Sequence, residues 1–227
     1  MNQTLDFSAI WSAFDQLLIG AGLTLRLTFL AIIFGMAIAI VCAWAKTNGP
    51  GWSKWLVTFY VELIRNTPFL LQLYFFFFAL PSLGLRLAPN SAALLTMVIN
   101  LGAYATEIVR AGIESVPHGQ VEAGRSLGLR PLQIFRLLVL PPTLRVVYQP
   151  LAGQFTMLLL GSSVVSSISA NELTSAANLL QSINFRTFET YLIVTFMYLL
   201  MVFAFRGLFS LLYFWMFREQ RQGLFAR

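Results

Sequence analysis

Side chains able to carry out covalent chemistry are scarce in this chain. Its 227 residues hold one histidine, His118, and one cysteine, Cys42. Neither belongs to a Gly-x-Ser-x-Gly or His-Glu-x-x-His arrangement, so a hydrolase lacks both nucleophile and base. No Gly-x-x-x-x-Gly-Lys-Ser/Thr loop occurs to cradle a nucleotide. Cys42 has no partner for an internal disulfide, and His118 reads as a solvated loop residue. Two other sets suit holding and docking. Gln72, Asn100, Tyr104, Gln154, Thr156, Ser162 and Ser163 are polar residues set in apolar runs. There an amide or hydroxyl needs a partner or water. Each alone suits hydrogen-bonded helix packing; as a group they also suit the lining of a passage for zwitterionic cargo. The second set, Glu122, Ala123, Gly124, Gly128 and Pro141, lies in a hydrophilic stretch rich in helix punctuation.

The elements that must position these residues follow from composition. Hydrophobic residues make up 58% of the chain and charged residues 11%, against about 25% charged in an average soluble domain. One globular core of this size could not hide so much apolar surface. The net charge of +6 would point to nucleic acid only if it formed a stripe on a soluble surface. Here the basic residues punctuate apolar runs, so the partner is a lipid bilayer and not a nucleic acid. A spanning helix needs about 20 mostly apolar residues. Stretches at 27–45, 66–85, 87–106 and 146–171 qualify, and 190–205 extends to 217 beyond Arg206. The sequence therefore predicts an all-α, multi-pass membrane protein of about five transmembrane helices. The aromatic block at 75–78 and the unbroken aliphatic runs exclude the alternation of a membrane β-barrel. No signal peptide is expected, because the first sixteen residues carry no Lys or Arg and include Asp6 and Asp15.

Loop charge predicts orientation. One set of loops holds Lys46, Lys54, Arg110, Arg125, Arg130, Arg136, Arg145, Arg218, Arg221 and Arg227; the other holds Arg86 and Arg186. Ten against two places the first set in the cytoplasm, with the N-terminus outside and the C-terminus inside. Arg26, Arg65 and Arg206 lie in or beside spans, where they can snorkel to headgroups. Glu62 with Arg65, and Glu107 with Arg110, are spaced for i,i+3 pairing. Gly35, Gly153 and Gly161 are expected at close helix contacts, and Pro68 is expected to kink the second span.

The cytoplasmic segment 110–145 is too long for a simple connector. Residues 120–127 suit a short helix, with Gly128 as its left-handed cap. Pro131 suits the first turn of a second helix, and Pro141-Pro142 is expected to stop it. In that second helix Leu132, Phe135, Leu138 and Val139 share one face, while Arg130, Gln133 and Arg136 share another.

Here the sequence resembles a known family. Val121-Glu122-Ala123-Gly124-Arg125-Ser126-Leu127-Gly128, followed by Leu138-Val139-Leu140-Pro141, is similar to the EAA loop of membrane subunits in bacterial ABC importers. The spacing is kept, with Gly124 for the second Ala and Leu138 for Ile. Further likeness to the polar amino acid (histidine, glutamine and arginine) branch covers residues 22–206. It runs through Tyr60-Val61-Glu62-Leu63-Ile64-Arg65-Asn66-Thr67-Pro68, Gly102-Ala103-Tyr104, Glu107, Arg110-Ala111-Gly112-Ile113, Ser115-Val116-Pro117 and Glu172-Leu173-Thr174. One departure stands out: Leu160-Gly161 replaces a common Lys-Asp in the fourth span.

The resemblance implies the type I ABC importer permease fold, one transmembrane permease domain over 1–227, and a coupling loop at about 114–141. It implies ATPase coupling through Glu122, Ala123, Gly124, Gly128 and Pro141, with Ala123 and Gly124 allowing close approach of the ATPase. It also implies a bacterial inner membrane location, two copies of an ATPase subunit that hold ATP and Mg, and an extracytoplasmic solute-binding protein. No cofactor is expected in this chain. No clear internal duplication is present and five spans do not divide into equal halves, which argues against gradient-driven transport. Five helices enclose only a thin-walled route, so an identical or related second permease is expected. Gln72, Asn100, Tyr104, Gln154, Ser162 and Ser163 are the expected substrate pathway for polar amino acids or derivatives such as opines. A channel or assembly scaffold is the alternative function.

Overall fold

The computed structural model describes residues 6–216. Phe217 of the fifth predicted span, and Arg218, Arg221 and Arg227 of the charge count, lie outside the described residues. Every regular element among the described residues is helical. Hydrocarbon offers the backbone no partner, and a helix satisfies its own.

A short helix α1 (Ser8–Ser12) leads into α2 (Phe14–Asn48), the first span. The charge-free stretch 27–45 is its central part. Ala31, Gly35, Ala39 and Ala43 recur every fourth residue and are all buried, so they form one seam along the helix. That seam lets the third span come close. At Gly35 an added Cβ would lie 3.0 Å from Leu101. Small residues at this spacing drive helix association in lipid, where burial in water contributes nothing.

The second span is not one helix. Helix α3 (Gly51–Arg65) ends before Pro68, and α4 (Phe69–Tyr74) begins after it; the pair is bent by 107°. Pro68 removes a donor and pushes Thr67 out of the helical region. The break is thus sharper than a kink, and the predicted stretch 66–85 corresponds only to the second arm. That arm continues through a π turn, Phe75–Ala79, and a 3-10 turn, Leu80–Leu83, and stops at Gly84 with φ 83°. Trp52 and Trp55 are exposed on α3, as expected of an element lying at the headgroups. Tyr60 anchors α3 to the third span by donating to Ile99 O at 2.6 Å.

Helix α5 (Pro89–Glu114) is the third span. Its C-terminal end is tied to α2 by Lys46–Glu107 at 2.6 Å, and Glu107 also pairs with Arg110 at 2.8 Å. The other expected pair does not form. Glu62 accepts from Asn66 Nδ2 at 2.8 Å, while Arg65 lies over the Tyr104 ring.

A hairpin follows: α6 (His118–Ser126), then α7 (Pro131–Ile134), which passes through a π turn at Phe135–Val139 into α8 (Leu140–Gly161). A 3-10 turn, Ser162–Ile168, completes this 38-residue rod. The prolines at 141 and 142 do not stop the helix as expected. They sit in the first turn of α8, after the π turn has shifted the hydrogen-bond register, where missing N–H groups are tolerated. Gly153 and Gly161 are not close contacts either; an added Cβ at each meets nothing within 4 Å.

Helix α9 (Leu173–Asn184) then packs on the outer part of α2, and α10 (Thr187–Met216) forms the last span. Glu172 caps α9 and is 1% exposed. Its carboxylate accepts from Ser175 N at 2.6 Å, Tyr198 OH at 2.7 Å and Thr24 Oγ1 at 3.5 Å, fastening α2, α9 and α10 together. Burial pushes this carboxyl above its ordinary value, outweighing the hydrogen bonds that pull it down.

Two outcomes follow. Gly35→Val overpacks the seam and costs about 1–3 kcal/mol, read as a lower unfolding temperature in detergent. Gly22→Ala, where a Cβ meets nothing within 4 Å, does not lower that temperature, since alanine at a helical site without clashes is favoured over glycine. An acid whose pKa rises on folding stabilises the fold while protonated. The Glu172 contribution is therefore full below its ordinary value of 4.5 and is lost as pH climbs through the raised one. Glu172→Gln flattens this part of the profile of unfolding temperature against pH.

Candidate cargo cavity and coupling hairpin

The break at Pro68 releases backbone carbonyls that a continuous helix would have used. Gln72, buried on α4, collects them: its Nε2 donates to Ile64 O at 2.7 Å and to Thr67 O at 2.9 Å. Its Oε1 accepts from Asn100 Nδ2 on α5 at 3.0 Å. Asn100 is thereby held in one orientation, with the opposite end of its amide, Oδ1, left as an acceptor.

In front of this relay lies a cavity of about 550 Å³ between the broken span, α5 and α8. Arg65, Thr67, Asn100, Tyr104, Gln154 and Gly161 are among its walls. The Arg65 guanidinium lies 5.4 Å from the centre of the Tyr104 ring, within cation–π range. Tyr104 OH in turn donates to Arg65 O at 3.5 Å. The cavity thus offers one fixed cation together with amide and hydroxyl groups. That suits a small zwitterion.

Of the predicted pathway residues, the structure brings Asn100, Tyr104 and Gln154 onto one wall, with Gln72 behind them. Thr156, Ser162 and Ser163 are not there. Each donates to a carbonyl of its own helix, Ala152 O at 2.9 Å, Leu159 O at 2.7 Å and Leu160 O at 2.8 Å. A hydroxyl can satisfy itself within one turn, which an amide cannot do as readily. Sequence reasoning assigned Arg65 to an ion pair or a headgroup and missed its place in the cavity. Glu62 and Arg65 lie on the same helix α3. Glu62 is engaged by Asn66 Nδ2 at 2.8 Å, and the Arg65 guanidinium lies over the Tyr104 ring of α5, a contact across helices that sequence spacing does not announce.

At the other end of α8 stands the hairpin. Glu122 and Ala123 are exposed on α6, whereas Gly124 is buried. An added Cβ at Gly124 would lie 2.6 Å from Leu138 and 3.3 Å from Ile134. Its small size therefore serves the chain's own packing rather than approach by a partner. Gly128 has φ 74°, the left-handed cap expected, and Leu129 N donates back to Gly124 O at 3.1 Å. Pro141 lies in the first turn of α8 rather than at a helix end. The apolar face assigned to the second helix divides. Leu138 packs inward with Ile134, while Leu132, at 75% exposed, and Phe135 point out. Leu127 joins them at 80% exposed. Gln133 caps the return helix, its Oε1 accepting from Arg130 N at 2.8 Å. The hairpin is locked to the membrane part through Thr143, which donates to Gly112 O at 3.2 Å. Among the described residues no cluster of His, Cys, Asp or Glu could hold a metal ion.

Residues 31–218 match the family described as binding-protein-dependent transport system inner membrane component. Over 198 residues the chain is 36% identical to the glutamine transport system permease protein of Escherichia coli, covering 86% of this chain and 90% of that one. It is 37% identical to the L-cystine transport system permease protein of Bacillus subtilis, over 75% of this chain and 72% of the relative. The octopine transport system permease protein of Rhizobium meliloti is 31% identical, over 94% and 91%. Among solved structures, an amino acid ABC transporter crystallised with histidines superposes with a TM-score of 0.85 at 34% identity, covering 92% and 98% of the two chains. The inward-facing methionine ABC transporter superposes at 0.74 with 19% identity, over 92% and 97%, a likeness of fold.

Proposed function

The chain belongs to the inner membrane components of binding-protein-dependent transport systems, and from that premise we propose that it forms the amino-acid route of an ATP-driven importer. It is a membrane permease subunit; the cargo is a polar amino acid or a derivative such as an opine. The relatives for glutamine, cystine and octopine support this range. The cavity between the broken span, α5 and α8 is where the cargo passes. An extracytoplasmic binding protein delivers it, and an identical or related second permease closes the other side of the route.

The power stroke comes from two copies of a separate ATPase subunit, which hold ATP and Mg; this chain carries no ATPase site of its own. The N-terminus lies outside and the C-terminus in the cytoplasm. The whole chain, 1–227, acts as one permease domain with its coupling loop at about 114–141. The observation that carries the proposal is the single rod from Pro131 to Ile168. It joins the hairpin to Gln154 and Gly161 in the cavity wall as one continuous helical course, with Pro150 within it. Glu122 and Ala123 face outward at the hairpin, free to meet the ATPase. Leu127 and Leu132 supply exposed apolar contact beside them.

Removing a charged hydrogen bond at such a contact costs about 1.5–3 kcal/mol, roughly tenfold or more. Glu122→Arg therefore lowers uptake in proteoliposomes at least about tenfold while ATP hydrolysis continues and membrane insertion is unchanged. Gly128→Trp has the same effect, because a bulky residue is strained at the left-handed turn. Uptake and cargo-stimulated ATPase both equal to those of the unaltered protein would refute the coupling assignment.

A further inference from the structure

We propose that the cleft between α8 and α10 holds the headgroup of an anionic phospholipid, gripped by Arg145 and Arg206. The site is separate from the cargo cavity and needs only the inner membrane location.

The two helices carry matching stripes. On α8, Arg145 is followed three and four residues on by Tyr148 and Gln149; on α10, Arg206 is followed at the same spacing by Phe209 and Ser210. Residues so spaced share one helix face, and these faces enclose a cavity of about 510 Å³. Tyr148 ties the walls together by donating to Phe209 O, and its ring lies 4.9 Å from that of Tyr213. Aromatic rings thus stand beside guanidinium, amide and hydroxyl groups.

Depth points to lipid. Arg206 stands about 29 Å along α10 from its start at Thr187, at 1.5 Å per residue. That is about one hydrocarbon thickness, so its guanidinium reaches a headgroup layer. One and two turns earlier on the same face, Phe203 and Leu199 are exposed and suit acyl chains.

The charge here is one-sided. Among the described residues that line the cavity none is acidic. On α5, which packs against α8, Glu107 is taken by Lys46 and Arg110, and Glu114 by Arg110. The one acid in the described part of α10, Glu189, stands in its first turn beside Arg186. The sequence after Met216 adds Arg218, Arg221 and Arg227 against Glu219. A phosphodiester supplies negative charge, and its oxygens fit guanidinium forks. Basic clefts between spanning helices hold anionic headgroups in this way. A zwitterionic lipid brings an ammonium as well, which finds no carboxylate on these walls. Gly153 lines the cavity, and an added Cβ there meets nothing within 4 Å. A large side chain at 153 therefore fills the cleft without displacing the fold.

The test is native mass spectrometry of the assembled transporter, delipidated in detergent and titrated with phosphatidylglycerol or phosphatidylethanolamine of the same acyl chains. Phosphatidylglycerol binds at least about tenfold more tightly. Arg145→Gln and Arg206→Gln each weaken it about fivefold, the worth of one arginine at an anionic surface. Gly153→Phe weakens it with both charges in place, while Arg26→Gln, outside the cleft, changes nothing. All four positions are exposed, so folded proteins are compared. Equal binding of the two lipids would overturn the proposal, and so would Arg206→Gln behaving like Arg26→Gln. Inorganic phosphate, which has the charge without the chains, is added at millimolar concentration as a competitor. Phosphatidylglycerol that stays bound supports a lipid site; full displacement assigns the cleft to free phosphate and overturns it.

Discussion

A helix that breaks inside a membrane leaves carbonyls with nothing to bond, and this fold depends on how one side chain resolves that. Gln72 takes the carbonyls of Ile64 and Thr67 freed by Pro68, which makes a 107° bend tolerable at that depth. The same amide then accepts from Asn100. Backbone repair and site construction are thus a single network. The cavity exists because the second span folds away from α5 and α8, and its polar wall is oriented because the repair group needs a partner of its own.

Around that network the protein uses size rather than polarity. The seam of Ala31, Gly35, Ala39 and Ala43 sets α2 against α5 at close range, and Glu172 fastens α9 and α10 to the outer part of α2. Together these brace α5, which lines the cavity, from behind. Another wall is α8, whose glycines at 153 and 161 stay open. In the hairpin the glycine rule is the reverse: Gly124 is filled against by Leu138 and Ile134, so that α6 and the start of the rod move as one piece.

The spans, their number and the hairpin were legible in the sequence because hydropathy and punctuation act locally. A run of apolar residues forms a helix in lipid whatever its neighbours do, and Gly128 takes its left-handed turn for reasons internal to the turn. What could not be read was anything decided by register or by contact across helices. Pro141 and Pro142 looked like a stop because the π turn before them leaves no residue signature. Gly153 and Gly161 looked like packing glycines because composition does not say which face a partner occupies. Asn100, Tyr104 and Gln154 line one cavity, whereas Thr156, Ser162 and Ser163 satisfy themselves within their own turns. Arg65 was missed since Tyr104, the ring it lies over, comes from another helix, while Glu62 on its own helix is taken by Asn66.

The unbroken course from Pro131 through Gln154 has a further meaning. At 1.5 Å per residue these two positions stand about 35 Å apart on one stiff axis, the π turn included. Such a rod behaves as a crank: a small swing of its hairpin foot is carried, past Pro150 within α8, to the wall that holds the amide groups. Opening and closing would then be a matter of leverage about the Thr143–Gly112 contact, a fulcrum near the foot, so that the long arm sweeps farther than the short one is pushed.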